Sequence, residues 1–180
     1  DPRSLVFYEP SRRRVLVPCR AWAHLSTRVS RHPPLDRVGP RVAMISVLLT
    51  DKVILLPLYS AQVESPLAGA IVTFNGNIRS VDQGKEVVSL SYEIHPSTEQ
   101  VLEEVAHSVA LGHDVIAVAI AHRYGDIALG ESALIVAISA THRGEAFVAC
   151  SAMVDEIKAR IPIWKHQVFA DGTDEWVNCA

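Results

Sequence analysis

Two lysines seven residues apart, Lys158 and Lys165, are the side chains of this sequence best suited to chemistry on an anion. They lie in the stretch His142 to His166, HRGEAFVACSAMVDEIKARIPIWKH, together with Arg143 and Arg160. From Met44 onward the chain has eight Lys or Arg against seventeen Asp or Glu, so this stretch holds half of the available fixed cations. Cations gathered in an otherwise acidic segment point to an anionic ligand. The competing reading is a solvated helix whose last turn carries Lys and Arg because the macrodipole favours them there. A lysine held near another cation and partly removed from water loses its proton more readily, and can then shuttle protons or stabilise developing negative charge.

The elements that must position these groups are legible from periodicity. AGAIVTFNGNIRS (68–80) and EVVSLSYEI (86–94) are β-rich, and Asp82 to Gly84 between them supply turn chemistry, which predicts an antiparallel hairpin. After Pro96, Ser97 is the expected N-cap with Gln100 at the capping-box position, and Val101, Leu102, Val105 and Val109 follow at helical spacing until Gly112. DVIAVAIAHRYGDI (114–127) and ESALIVAISAT (131–141) read as two further strands. Thr141 is the expected cap of a long helix over 142–160, and PIWKHQVF (162–169) and DEWVNC (174–179) read as closing strands. This order predicts an α+β fold, with two main helices laid on a largely antiparallel sheet. Pro162 ends the long helix, so the bend after it can bring Lys158 and Lys165 to one pocket.

Composition limits the classes open to the chain. With 180 residues, 49% apolar and 21% charged, it fits one ordinary domain with its own core. No apolar run approaches the roughly 20 residues that span a bilayer, so no membrane role is expected. Cys19, Cys150 and Cys179 are odd in number and lack CxxC or His spacing, which points to a cytoplasmic setting and no zinc site. Cys150 is expected to be core packing. The carboxylates Glu93, Glu99 and Glu103 lack a His partner, and no metal is expected. Residues 1–43 differ from the rest: nine Arg, no Lys, six Pro and three acids. Three readings compete for this leader: a basic nucleic-acid arm, an organelle-targeting peptide, or upstream sequence joined by an early start; the last is favoured, with little fixed structure expected. The acidic body without interleaved aromatics argues against nucleic acid as a partner. The expected division is a leader over 1–43 and a folded domain over 44–180.

Five segments in order, GAIVTFNGNIR, YEIHP, HRYGDIALGE, ATHRGEAF and KARIPIWKHQ followed by Trp176, resemble the large, catalytic subunit of molybdopterin synthase. The resemblance runs from about Leu67 to Val177. It implies an α/β hammerhead fold and a homodimer. It also implies a small ubiquitin-like sulfur-carrier subunit at each end, making a heterotetramer. The implied reaction moves two sulfurs from the partner's C-terminal Gly-Gly thiocarboxylate onto cyclic pyranopterin monophosphate, giving the molybdopterin dithiolene. The sulfur arrives on the partner, so this chain needs neither a nucleophilic cysteine nor a cofactor of its own.

The resemblance also assigns residues. Lys158 and Lys165 match the family's essential lysines, and His142 and Arg143 its His-Arg pair at a helix start. Asn77, Ile78 and Arg79 occupy its substrate-contacting segment, and His166 and Gln167 follow Lys165 into the substrate-binding set. Phe74 and Val154 are expected to frame the partner's tail or the substrate. A pocket for a phosphate and a thiocarboxylate calls for several cations and no competing carboxylate. A helix from 143 to 158 would hold its ends roughly 22 Å apart. Each pocket is therefore expected to be completed across the dimer, His142 and Arg143 of one subunit facing Lys158 and Lys165 of the other. Relatives often carry an Arg beyond the Trp176 strand, whereas here the sequence reads Asn178-Cys179-Ala180, and Arg160 is a candidate replacement. His122 and Arg123 are expected to be structural, Arg123 pairing with Asp126 or Glu131, and His95 to be a satisfied turn residue. The alternative function is a non-catalytic paralogue that binds a pterin phosphate or a ubiquitin-like partner.

Overall fold

The computed structural model describes residues 43–178, all within the unit Gly39–Ala180. The expectations for the leader lie, apart from Ala43, outside the described residues, as do Cys19 and Cys179. The elements run β1 (Met44–Thr50), α1 (Leu56–Gln62), β2 (Ala70–Asn77), β3 (Val81–Asp82), β4 (Lys85–Ile94), α2 (Thr98–Gly112), β5 (Val115–Arg123), β6 (Gly125–Asp126), β7 (Ser132–Ala140), α3 (Arg143–Arg160), β8 (Ile163–Phe169) and β9 (Asp174–Asn178). The α+β class and the two main helices stand as expected. The short helix α1 was not foreseen.

One sheet has the order β1-β5-β7-β2, and β1–β5 is its parallel pair. Its central strands, VIAVAIAHR and SALIVAISA, are buried on both faces, which is why they read as nearly continuous apolar runs. Alternation divides their side chains. Val118, Ile120, Leu134, Val136 and Ile138 join the cluster made with α2 and α3. Ala117, Ala119, Ala121, Ile135 and Ala137 face the other way, against Ile54, Tyr59 and Val63 around α1. The alanines keep that second face shallow, so a seven-residue helix is enough to cover it.

The second sheet runs β3-β4-β8-β9, with β6 on β4. Here the hairpin expectation is corrected: β2 pairs with β7, whereas β4 pairs with β8 and with the two-residue strand β3. The turn was correctly located but joins β3 to β4. Gln83 at φ 50° and Gly84 at φ 80° give two consecutive left-handed residues, the geometry that closes a two-residue hairpin. Segment 68–80 therefore leaves for the other sheet, and only Val81 and Asp82 fold back along β4.

Two caps also differ from expectation. Ser97 is the N-cap of α2 but makes no capping bond. Its N–H and hydroxyl are instead both directed at His95 Nδ1, at 3.2 and 2.8 Å, and Gln100 donates to Glu104 at 3.0 Å. His95 is thus the satisfied turn residue expected. The N-cap of α3 is His142, one residue after Thr141, because β7 continues to Ala140 and leaves Thr141 in the connection.

Candidate functional site

The strand β8 positions the chemistry, and alternation decides which of its side chains share a face. Ile163, Lys165, Gln167 and Phe169 point one way; Trp164, His166 and Val168 point the other. The bend that leads into β8 is pinned from outside. Pro162 stops α3, and its carbonyl accepts hydrogen bonds from His95 N–H at 3.1 Å and from the buried Thr98 hydroxyl at 3.0 Å. The start of α2 therefore fixes the distance between the last turn of α3 and the first residues of β8.

Between the two sheets and the end of α3 lies a cavity of about 310 Å³. Arg79 reaches it from the segment after β2, Lys158 from the last turn of α3, and Lys165 from β8. Asn77, Ile78 and Gln167 line it too, so six of the nine predicted site residues come together. Its apolar wall includes Phe74, Leu90, Tyr92 and Ile157. The other three predicted residues lie elsewhere. His142 and Arg143 are exposed at the opposite end of α3. His166 is on the outer face of β8, stacked on Trp176 with ring centres 4.3 Å apart and bonded to Asp174 at 2.9 Å. Of the auxiliary residues, Phe74 lines the cavity, Val154 packs against the main core, and Arg160 faces Glu156 at 3.6 Å instead of entering the site.

Asp82 is the residue that sequence reasoning missed, and it corrects the expectation of a pocket without a carboxylate. Its Oδ2 accepts from Gln167 Nε2 at 2.9 Å and Lys165 Nζ at 3.1 Å, and its Oδ1 accepts from Arg79 Nη2 at 2.8 Å. The hydrogen bonds from Gln167 and Lys165 hold its carboxyl below the usual carboxylate range. Gln167, itself buried, also donates to Glu175 at 3.1 Å, which fixes the amide between two carboxylates. Lys158 makes no ion pair among the described residues and is the cavity's uncommitted cation. The register could have revealed Asp82: a two-residue turn at Gln83-Gly84 sets it beside Lys85 at the rim of the sheet that carries Lys165.

His122 also lines the cavity, which the expectation of a purely structural residue did not include. Its Nδ1–H donates to the Arg123 carbonyl at 2.8 Å, and burial holds the ring neutral, with its pKa pushed down to about 4. Arg123 is structural as expected, buried and paired with Glu131 at 2.7 Å. Cys150 is buried in the main core, and that burial raises its thiol pKa above the ordinary value.

Comparison with known families matches residues 49–160 to the family model described as MoaE protein. The chain belongs to the MoaE family. Among MoaE relatives, the molybdopterin synthase catalytic subunit of Arabidopsis thaliana is 37% identical over 115 residues, covering 63% of this chain and 58% of the relative. That of Aspergillus niger is 38% identical over 117 residues, covering 64% and 65%. The shorter protein of the same name from Thermoplasma volcanium is 34% identical over 116 residues, covering 64% and 85%. The chain thus spans about three fifths of the length of the first of these MoaE relatives. The MoaE protein of Burkholderia ambifaria superposes with a TM-score of 0.65 at 30% identity, over 76% of this chain and 90% of that one. Molybdopterin synthase from Staphylococcus aureus gives 0.65 at 26%, over 73% and 95%. A complex of subunits 1 and 2 of the molybdopterin-converting factor from Helicobacter pylori shares the fold at 20% identity, with a TM-score of 0.56. The α/β hammerhead expectation accords with these MoaE neighbours.

Proposed function

We propose that this chain is the catalytic subunit of a cytoplasmic molybdopterin synthase. In this reading it transfers sulfur from the C-terminal thiocarboxylate of a small ubiquitin-like subunit to cyclic pyranopterin monophosphate. The observation that carries the reading is the convergence of Arg79, Lys158 and Lys165, from three separate elements, on one cavity in a MoaE-family chain. An apolar wall with cations at one side suits a flat pterin with a phosphate at its edge. Lys158, uncommitted, meets the phosphate and stabilises charge as it leaves. Lys165, held by Asp82, orients the sulfur donor and takes part in proton transfer. Asn77, Ile78 and Gln167 complete the wall around the substrate.

His142 and Arg143 lie a full helix length from Lys158, about 22 Å along α3. One pterin does not reach both ends, so each pocket is completed by His142 and Arg143 of a second copy, in a homodimer carrying two small subunits. His166 lies on the outer face of β8, stacked on Trp176, and a substrate role for it would be played from that face.

The deciding experiment is molybdopterin formation from cyclic pyranopterin monophosphate by the full chain and a thiocarboxylated small subunit. Lys158→Ala and Lys165→Ala are expected to lower the rate at least a hundredfold while partner binding persists. Binding of partner and substrate by the unaltered chain without dithiolene formation would identify a non-catalytic paralogue instead.

A further inference from the structure

A site that binds anions does not need a carboxylate at its centre, yet Asp82 is there. Both of its oxygens are engaged, by Arg79, Lys165 and Gln167 at 2.8 to 3.1 Å. These are the distances and donor types that a phosphate oxygen would seek. Two of the cavity's three cations and its one buried amide therefore already serve an anion that belongs to the chain. Asp82 has 15% of its side chain exposed and Lys165 19%, so that pair is largely shielded from water, whereas Arg79, 74% exposed, reaches Asp82 from the solvent side. Its carrier is slight: β3 is two residues long and is held to β4 by the pairs Val81↔Glu86 and Asp82↔Lys85. A strand of that length adds little to hold the carboxylate in place when a stronger anion arrives.

Resting on the anion-binding reading of the cavity, we propose that Asp82 is an internal counter-anion. It keeps Lys165, Arg79 and Gln167 aimed at the cavity while the site is empty, and it yields them to a ligand of higher charge. The chemical consequence is selectivity. A monoester phosphate, which carries two charges where the substrate's closed cyclic diester carries one, can displace a single carboxylate from two cations as the ring opens, whereas a singly charged ligand merely exchanges like for like and gains nothing. Lys158, which has no ion-pair partner among the described residues, makes the first contact with the incoming phosphate. Asp82 is thus a positioning and specificity residue, acting through the groups it holds.

The test is calorimetric titration of the full chain with inorganic phosphate, and with acetate as the singly charged control, at fixed ionic strength and pH 7.5. Asp82→Asn keeps an oxygen acceptor for Lys165 and Gln167 but removes the charge. It is expected to bind phosphate roughly three- to tenfold more tightly than wild type and to bind acetate measurably. Asp82→Glu restores the charge and should return both affinities toward wild type, which a merely structural role would not produce. Asp82→Ser carries the same expectation as Asn and serves if Asn disturbs the hairpin. Equal or weaker phosphate binding by both neutral variants, with Lys158→Ala still weakening it, overturns the counter-anion and leaves the anion site standing. Phosphate binding that neither Lys158→Ala nor Lys165→Ala weakens overturns both.

Discussion

At the residue scale, His122 makes the sharpest prediction. Its ring is buried and neutral, with a pKa near 4 against about 6.5 in an unfolded chain, so folding is linked to pH. The stabilisation is complete above pH 6.5. It is lost as pH falls toward 4, because the unfolded state takes up a proton that the folded state refuses, for a total on the order of 3 kcal/mol. Denaturant midpoints at pH 7.5, 5.5 and 4.5 should fall steadily for wild type, and the slope should flatten for His122→Gln. Asp82, Glu131 and Asp171 have depressed carboxyl pKa values, so their contributions begin to fade only below about pH 5, and the step from pH 7.5 to 5.5 reports His122. A second prediction concerns Arg123, whose guanidinium is almost wholly buried against Glu131. Glu131→Ala leaves that charge without its partner and should lower the urea midpoint, more than Glu131→Gln, which keeps an acceptor. The scarcity of fixed cations drew notice to Lys158 and Lys165, and the family resemblance added Arg79. Neither revealed Asp82, since an Asp beside Gly reads first as a turn former.

At the element scale, secondary structure was legible and pairing was not. The alternating and continuous apolar runs located β4, β5, β7 and β8, the 3.6-residue period located α2, and the boundary residues Thr141 and Pro162 located α3. Pairing depends on groups distant in sequence, so β2 and β4 looked like a hairpin although each is committed to a different sheet. Likewise the resemblance placed both His166 and Gln167 in the substrate-binding set, and adjacency in a strand puts them on opposite faces. The junction between β2 and β7 offers a direct check. A Cβ at Gly69 would collide with the Thr141 carbonyl oxygen, and Gly69 N–H already donates to the Ala140 carbonyl at 3.1 Å. Gly69→Ala should therefore lower the unfolding free energy by about 1 to 3 kcal/mol, read from the denaturant midpoint.

At the scale of the whole molecule, the α+β class followed from the order of elements, and the family from five motifs spread over more than a hundred residues. The segment 44–66 gave no comparable signal: β1 takes its place through parallel pairing to β5, and α1 through a face of small residues, neither of which has a local signature. The assembly is tested by mixing. A dimer of one Arg143→Ala chain with one Lys158→Ala chain contains one intact pocket if pockets are shared across subunits. Such mixtures should recover about a quarter of the wild-type turnover when the chains exchange freely, since half of the dimers are then mixed. Activity no higher than that of either parent would show that each pocket belongs to a single chain.

The alternation along β8 has a consequence for how relatives of this chain can diverge. From Ile163 to Phe169 every position is assigned to one face by parity. Loss or gain of a single residue there would turn Lys165 and Gln167 outward and His166 inward in one step, whereas a substitution changes only one side chain. Evolution should therefore exchange letters in this strand but hold its length fixed. Insertions and deletions among homologues should collect instead in the Ala170 to Thr173 turn, beyond the last cavity-facing residue of β8.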